Sequence, residues 1–237
     1  KVAVITGGAS GIGEAAVRLF IDEGAKVAFS DQDNQRGMAL SKDITSRGND
    51  VLFVNAKMEL ENQALSFVKR GADYFGQIDI LVNNVAIRMF QTVVEASEES
   101  WDRIFSVNVK SYAFCAKAAI PKMRNAGGGS IVNIASNNAV IAGINTVQYD
   151  TTKAAVASAA LASGAKIVND VGALADPNMG KTVAQAGASI ILMHRKGRAK
   201  TMQKRPRYRD VVTEILSFLQ KRVKRALSAG IPHDRIM

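Results

Sequence analysis

The residues with the clearest chemical potential are Tyr149 and Lys153, which lie four positions apart at the start of a predicted helix. Side chains with this spacing share one face of a helix. A lysine ammonium beside a tyrosine stabilises the phenolate and lowers the pKa of the hydroxyl. The tyrosine can then exchange a proton near neutral pH. Such a pair is common on helix surfaces, so it indicates catalysis only if other groups accompany it.

A hydroxyl group lies 13 residues earlier, at Ser136, where a predicted strand over 131–135 ends. At that position it could hold the oxygen of a carbonyl or an alcohol. Ser136, Tyr149 and Lys153 together would form the reactive end of a site, and this needs a sheet that brings the end of the strand to the start of the helix.

The segment Thr6–Gly13 reads Thr-Gly-Gly-Ala-Ser-Gly-Ile-Gly and lies between a predicted strand and a predicted helix. Glycine lets the chain approach a pyrophosphate, and the helix N-terminus offers N–H groups and partial positive charge. Asp31 follows Gly13 by 18 residues at the end of the next strand. A carboxylate there accepts from an adenosine ribose hydroxyl and repels a 2′-phosphate, which favours NAD and makes NADP the weaker prediction. A structural turn with a solvated aspartate is the alternative, and Arg36 could accommodate a phosphate.

Short apolar segments rich in valine and isoleucine alternate with helical stretches, which is typical of buried parallel strands. The pattern predicts an α/β protein with a three-layer, Rossmann-like, doubly wound parallel sheet, extended by additional βα units at the C-terminus. The predicted strands are 2–5, 27–29, 51–54, 80–82 and 131–134, followed by 165–171 and 189–193; the predicted later helices are 151–163, 177–186 and a long one around 212–227.

The composition, with 237 residues, 47% hydrophobic and 22% charged, fits a full α/β core and excludes low-complexity disorder, collagen and coiled coil. The single cysteine, Cys115, excludes an internal disulfide framework and predicts a reducing, cytoplasmic location. No apolar run reaches the roughly 20 residues of a membrane helix, so no membrane partner is expected. His194 and His233 are isolated from cysteine and acidic clusters, and we predict no metal site.

The net charge of +10 is concentrated in the last third of the chain. Residues 1–150 hold 15 Lys+Arg and 16 Asp+Glu, a sum of −1, whereas residues 151–237 hold 16 and 5, a sum of +11. Eight of the basic residues fall in the loop 195–209. A solvated loop is the preferred interpretation, and nucleic-acid binding is not expected, since Tyr208 alone offers an aromatic face.

The motifs of residues 1–156 together resemble those of the short-chain dehydrogenase/reductase family. The resemblance implies hydride transfer between a nicotinamide cofactor and a secondary alcohol or ketone. In it, Tyr149 is the general acid/base, Ser136 orients the oxygen, Lys153 binds the nicotinamide ribose, and Asn108 supports a proton relay through water. The cofactor-binding set it implies is Gly7, Ser10, Gly11, Ile12, Gly13, Asp31, Asn83, Ala86, Tyr149 and Lys153. Two departures are Val85-Ala86, where the family has Ala-Gly, and Lys57, where it places an aspartate.

The segment from about residue 150 to 237 resembles a different family, dihydropteroate synthase, a TIM-barrel enzyme that joins a pterin to p-aminobenzoate. In that resemblance Asp150 and Asn169 would contact the pterin. Fewer than half of eight βα units cannot close a barrel. The motifs that carry the resemblance are 150–153, 166–171, 176–179, 192–194, 201–203 and 208–212.

Two resemblances within one chain predict a chimera. We expect a dinucleotide-binding domain over 1–162 and a βα extension over 163–237, packed as edge strands of the same sheet. Three functions remain open: an NAD(P)(H)-dependent oxidoreductase, a chimeric or designed scaffold that at most binds nucleotide, and a pterin-binding transferase fragment. The expected partners are a small alcohol or ketone substrate and other copies in a homo-oligomer.

Overall fold

The computed structural model of the protein describes residues 1–139, 143–197 and 206–237. The chain forms two compact units. The first comprises Lys1–Ala135 and Ile144–Lys153, and the second comprises Ser136–Gly143 and Ala154–Met237. The predicted boundary between the dinucleotide-binding domain and the βα extension, at 162/163, falls later in the chain and stays a proposal. Much of the predicted basic loop, including its 201–203 motif, lies outside the described residues.

The sheet of the first unit has five parallel strands. From one edge to the other the order is β3-β2-β1-β4-β5, so the chain runs outward from the centre and then returns to the opposite side. This order confirms the predicted Rossmann-like doubly wound sheet. The strands are β1 (Val2–Thr6), β2 (Lys26–Asp31), β3 (Val51–Asn55), β4 (Ile80–Asn83) and β5 (Ser130–Asn133).

Helices pack on both faces of this sheet because β1 is apolar on both sides. Val4 belongs to a buried cluster with Phe67 and Cys115 on one face. Its neighbour Ile5 belongs to a second cluster with Val17 on the other face. The alternation follows from the two-residue period of a strand. The helices are α1 (Gly11–Asp22), α2 (Asn34–Ser46), α3 (Glu61–Phe75), α4 (Glu98–Phe105), α5 (Ser111–Asn125) and α6 (Val147–Ala162); a π-helical turn, Ser106–Lys110, separates α4 from α5.

The second unit has its own small core, and its strands pair with each other in a separate two-stranded parallel sheet. The expectation that they form edge strands of the main sheet is therefore wrong. The strand Ser189–Leu192 pairs on one side with Ile167–Asp170, and on its other side Ile190 forms a single bridge to Ile236. Ile190 packs with Val183 and Ala226 from the two flanking helices. The elements are β6 (Ile167–Asp170), α7 (Pro177–Gln185), β7 (Ser189–Leu192) and α8 (Val211–Ser228).

No helix in the described part of the chain combines the length and the apolar character needed to cross a bilayer.

Candidate functional site

The turn Thr6–Gly13 joins β1 to α1, and its backbone requires glycine. Gly7 and Gly11 have positive φ values of 65° and 56°. A β-carbon on Gly13 would lie 1.9 Å from the carbonyl oxygen of Gly7, whereas one on Gly11 would meet nothing within 4 Å. The Ser10 side chain makes no hydrogen bond to the start of α1. Ser10 therefore does not compete with a ligand for the N–H groups of the first helical turn, where anions bind.

Asp31, at the end of β2, lies against this turn. Its Oδ2 accepts a hydrogen bond from the backbone N–H of Ala9 at 3.1 Å, and its Oδ1 accepts from the N–H of Asp33 at 3.0 Å. Arg36 is exposed and pairs with Asp33 at 3.5 Å. The carboxylate is thus beside the glycine-rich turn. Ile12, at the open end of α1, is 68% exposed.

The end of β4 is tied to the turn by Asn84, a residue absent from the predicted set. Its backbone N–H donates to Thr6 Oγ1 at 3.0 Å, and its Nδ2 donates to the carbonyl oxygens of Thr6 and Gly7, each at 3.0 Å. The neighbouring Asn83 is buried and donates through Nδ2 to Asn133 Oδ1 at 2.8 Å. Asn83 therefore links β4 to β5, while Asn84 holds the turn. The sequence signal that could have identified Asn84 is its position, since it is a polar residue directly after the strand that neighbours β1.

Asn108 lies in the π-helical turn and is fully buried. Its Oδ1 accepts from the N–H of Ile87 at 2.8 Å, and its Nδ2 donates to the Ile87 carbonyl oxygen at 3.0 Å. Nδ2 also donates to Thr152 Oγ1 at 3.1 Å. A single amide thus fixes the segment after β4, which includes the exposed Ala86, and the first turns of α6. Single π-helical turns are frequent at functional sites.

Lys153 is buried, with 1% of its surface exposed, on the face of α6 that meets the end of β5. Its Nζ donates to the carbonyl oxygen of Ile134 at 2.6 Å and to the hydroxyl of Tyr112 at 3.4 Å. Nζ is 5.8 Å from the centre of the Tyr149 ring. Burial lowers the pKa of Lys153 to about 8. The ammonium thus lies beside a phenol, as the four-residue spacing predicts.

Tyr112 is a second phenol in this cluster, and the sequence analysis did not identify it. Its hydroxyl donates to the Ile134 carbonyl oxygen at 3.2 Å, so this oxygen accepts from both Tyr112 and Lys153. Burial raises the pKa of Tyr112, and the nearby Tyr149 raises it further. Tyr112 therefore stays protonated while it contacts the ammonium.

Tyr149 lies in the first turn of α6 and is partly buried. The start of this helix is anchored to α4, because Gln148 Nε2 donates to Ser100 Oγ at 2.6 Å. On its ring lies the guanidinium of Arg88, with Cζ 5.0 Å from the ring centre. The Tyr149 ring thus has two cations near it, Lys153 and Arg88.

The other predicted residues have local roles in the structure. Ser136 belongs to the second unit, where its Oγ accepts from the N–H of Asn138 at 3.2 Å. Asp150 accepts through Oδ2 from Thr146 Oγ1 at 3.0 Å, and Asn169 is an exposed residue of β6. Within the described ranges, no group of three or more His, Cys, Asp or Glu side chains could hold a metal ion.

The groups of the first unit share one edge of its sheet. The glycine-rich turn follows β1, Asn84 follows β4, and the Ile134 carbonyl that binds Lys153 follows β5. These three strands are neighbours. Ligands of doubly wound sheets bind at the carboxyl ends of the strands where the order reverses, which here is between β1 and β4. The arrangement can hold a dinucleotide phosphate at one end and exchange a proton at Tyr149 at the other.

Two sequence families match the chain. The short chain dehydrogenase family matches residues 1–168, and the family described as pterin binding enzyme matches residues 130–237. The two matches overlap and together span the chain, which agrees with the two resemblances found in the sequence.

Similar proteins match about two thirds of the chain. An uncharacterized oxidoreductase of Thermotoga maritima is 35% identical over 153 residues, which are 65% of this chain and 60% of that protein. A cyclopentanol dehydrogenase of Comamonas sp. is 34% identical over 156 residues, or 66% and 62%. A short chain dehydrogenase structure from Mycobacterium smegmatis aligns with a TM-score of 0.66 and 29% identity over 69% of this chain and 70% of that one. The chain spans about three fifths of the length of the curated relatives it matches.

Proposed function

The chain belongs to the short-chain dehydrogenase family, and from this premise we propose that it is an NAD(P)(H)-dependent oxidoreductase acting on a secondary alcohol or ketone. The observation that carries the proposal is the position of the buried Lys153 ammonium, 5.8 Å from the Tyr149 ring. Both residues belong to the unit that contains the glycine-rich turn.

The residues at the turn fit a nicotinamide dinucleotide. Gly13 has no room for a β-carbon, which would lie 1.9 Å from the Gly7 carbonyl oxygen, while the space beside Gly11 is open. We propose that the first turn of α1 binds the pyrophosphate through Ser10, Gly11, Ile12 and the backbone around them. When bound, the nicotinamide supplies or accepts the hydride.

The remaining residues divide the proton chemistry among them. Tyr149 gives its hydroxyl proton to the carbonyl oxygen in reduction and takes it back in oxidation. Lys153 stabilises the phenolate through its positive charge. Asn108 holds the start of α6 through Thr152, so that Tyr149 keeps its position. Ser136 orients the substrate oxygen in this proposal, and Asn108 also supports the return of protons through water.

We propose NAD as the preferred dinucleotide. The Asp31 carboxylate lies at the glycine-rich turn, and the nearby Arg36 is paired with Asp33. The Asp31 carboxylate would repel the 2′-phosphate of NADP, and the Arg36 guanidinium that could bind this phosphate is already paired with Asp33. Asn83 and Ala86 complete the proposed cofactor-binding set, although the Asn83 side chain contacts β5 and acts through the position of the strand end.

The test is a calorimetric titration with NADH and NADPH, followed by turnover assays with secondary alcohols, among them cyclopentanol. We expect NADH to bind more tightly than NADPH, and we expect a smaller difference between the two affinities in the Asp31→Ser variant. Tyr149→Phe should retain NADH binding and lose turnover, whereas Lys153→Ala should weaken both. If folded protein binds neither dinucleotide, the proposal is wrong.

The overlap of the two family matches supports the further proposal that the chain joins sequences of two origins. The findings do not favour the scaffold or the transferase fragment as its function. We also propose that copies associate into a homo-oligomer and that the protein works in the cytoplasm, as its one buried cysteine, Cys115, suggests. Gel filtration coupled to light scattering measures the oligomeric state, and fractionation of cells measures the location.

A further inference from the structure

Arg88 is a cation beside the reacting group, and the proposed chemistry does not use it. Its guanidinium lies over two rings at once, with Cζ 5.0 Å from the centre of Tyr149 and 4.9 Å from that of Phe90. Arg88 is exposed, and Phe90 is 69% exposed. A molecule whose oxygen contacts Tyr149 therefore comes within reach of this guanidinium.

The Arg88 guanidinium presents a planar fork of hydrogen-bond donors near the Tyr149 ring. These N–H donors point outward in the plane of the group. This fork matches the two oxygens of a carboxylate. Among the described residues, Arg88 forms no ion pair. The charge is thus held in place by the rings without being neutralised.

We propose that Arg88 is a substrate-binding residue and that the substrate is an oxo acid or hydroxy acid, with its carboxylate near the reacting carbon. This inference rests on the proposed function. The carboxylate would accept a bidentate hydrogen bond from Arg88 while the reacting oxygen contacts Tyr149. A neutral ketone would leave the guanidinium without its partner.

The test compares an acid with its neutral ester, using acetoacetate and methyl acetoacetate with NADH. We expect wild-type kcat/KM to favour the acid by about 10- to 100-fold, the range for hydrogen bonds to charged groups. Arg88→Gln should remove this preference by lowering the value for the acid alone. Arg88→Lys should restore part of it, since lysine keeps the charge but lacks the planar fork.

Arg70→Gln is the matched control, because it removes one exposed arginine from α3, away from Tyr149. It should leave the preference unchanged. Calorimetric titration of acetoacetate into wild type and Arg88→Gln reads binding without turnover, and we expect heat only with wild type. Equal kcat/KM for acid and ester in wild type, or equal acetoacetate binding by the two proteins, overturns the inference. Turnover of the ester with no acid preference would leave the oxidoreductase proposal standing.

Discussion

Lys153 is unusual because it is buried and has no carboxylate partner among the residues that the structure describes. Its Nζ contacts one carbonyl oxygen and one hydroxyl, and burial lowers its pKa to about 8 from 10.5. A buried ammonium that lacks a counterion destabilises the folded protein. The arrangement is consistent with a group whose charge is needed for chemistry rather than for stability.

The first prediction concerns the stability of the protein as a function of pH. Between pH 8 and 10.5 the unfolded chain binds more protons at Lys153 than the folded protein does, so this residue makes stability rise with pH across the window. Lys153→Met lacks the effect. We expect the Lys153→Met variant to have a higher free energy of unfolding than wild type below pH 8. This difference should shrink towards pH 10.5, as measured by urea unfolding.

Lys69→Met is the control for that series, because Lys69 is an exposed partner of Asp73 on α3. The difference in the free energy of unfolding between Lys69→Met and wild type should stay the same from pH 8 to pH 10.5. Parallel wild-type and Lys153→Met curves across the whole range would contradict the depressed lysine pKa.

The second prediction concerns Tyr112. Tyr112→Phe removes the hydroxyl that accepts from Lys153 and donates to the Ile134 carbonyl oxygen. We expect a loss of about 1 kcal/mol in the free energy of unfolding, the usual net value of a hydrogen bond. The pKa of Lys153 should fall further because its ammonium loses an acceptor, and NMR titration of the lysine ε-carbon would measure this.

Tyr74→Phe is the matched variant, since the Tyr74 hydroxyl contacts Asp50 on the surface. It should leave the Lys153 titration unchanged. A Tyr112→Phe protein with the wild-type lysine pKa would show that the phenol only fills space.

At the scale of elements, the connection from β1 to α1 depends on close contact between two parts of its own backbone. Gly13→Ala would place a β-carbon 1.9 Å from the Gly7 carbonyl oxygen and 2.7 Å from Asn84 Nδ2. The turn and the end of β4 would both have to move. We expect Gly13→Ala to abolish NADH binding in calorimetry and to lower stability.

Gly24→Ala separates this steric effect from backbone strain. Gly24 has a φ of 77° in the loop after α1, and a β-carbon there meets nothing within 4 Å. It should cost about 1 kcal/mol of stability through its left-handed conformation and leave NADH binding intact. Unimpaired NADH binding by Gly13→Ala would show that the turn tolerates displacement.

The elements of the first unit could be predicted because each is encoded locally. The strand from Val2 to Ile5 and its four counterparts each show a short apolar run that ends in a polar or turn residue. The pairing of β6 with β7 could not be predicted in this way, since an apolar run does not specify its neighbour. The separate two-stranded sheet is a property of the tertiary structure.

Within the candidate site, the motif residues were predictable and their supporting contacts were not. Tyr149 and Lys153 follow from a fixed spacing on one helix. Tyr112 contacts Lys153 across 41 residues, and the Arg88 guanidinium reaches Tyr149 from the loop after β4. No local pattern encodes either contact. The π-helical turn at Asn108 is also invisible in the sequence, because its apolar residues fit an ordinary helix.

The whole molecule contains two compact units with separate hydrophobic cores. The first unit holds Tyr149, Lys153 and the glycine-rich turn, and the second unit contains Ser136 and the pterin-family strands. The helix α6 contributes residues to both units, and the two family matches overlap over residues 130–168, which include it. The proposed dinucleotide therefore binds one unit, while the chain passes into the other through a continuous helix.

This division predicts that NAD⁺ stabilises the two units unequally. Trp101 is the single tryptophan and lies in α4 of the first unit, so its fluorescence reports the unfolding of that unit. Far-UV circular dichroism reports the helices of both. At 100 times its Kd, NAD⁺ should add about 2.7 kcal/mol to the first unit and raise the Tm of the fluorescence transition. A second transition, visible only by circular dichroism, should keep its Tm.

Gly13→Ala should show no shift with NAD⁺ in either signal. If NAD⁺ raised both signals of the wild-type protein together in one transition, the two units would unfold as one, and the shared helix would couple them.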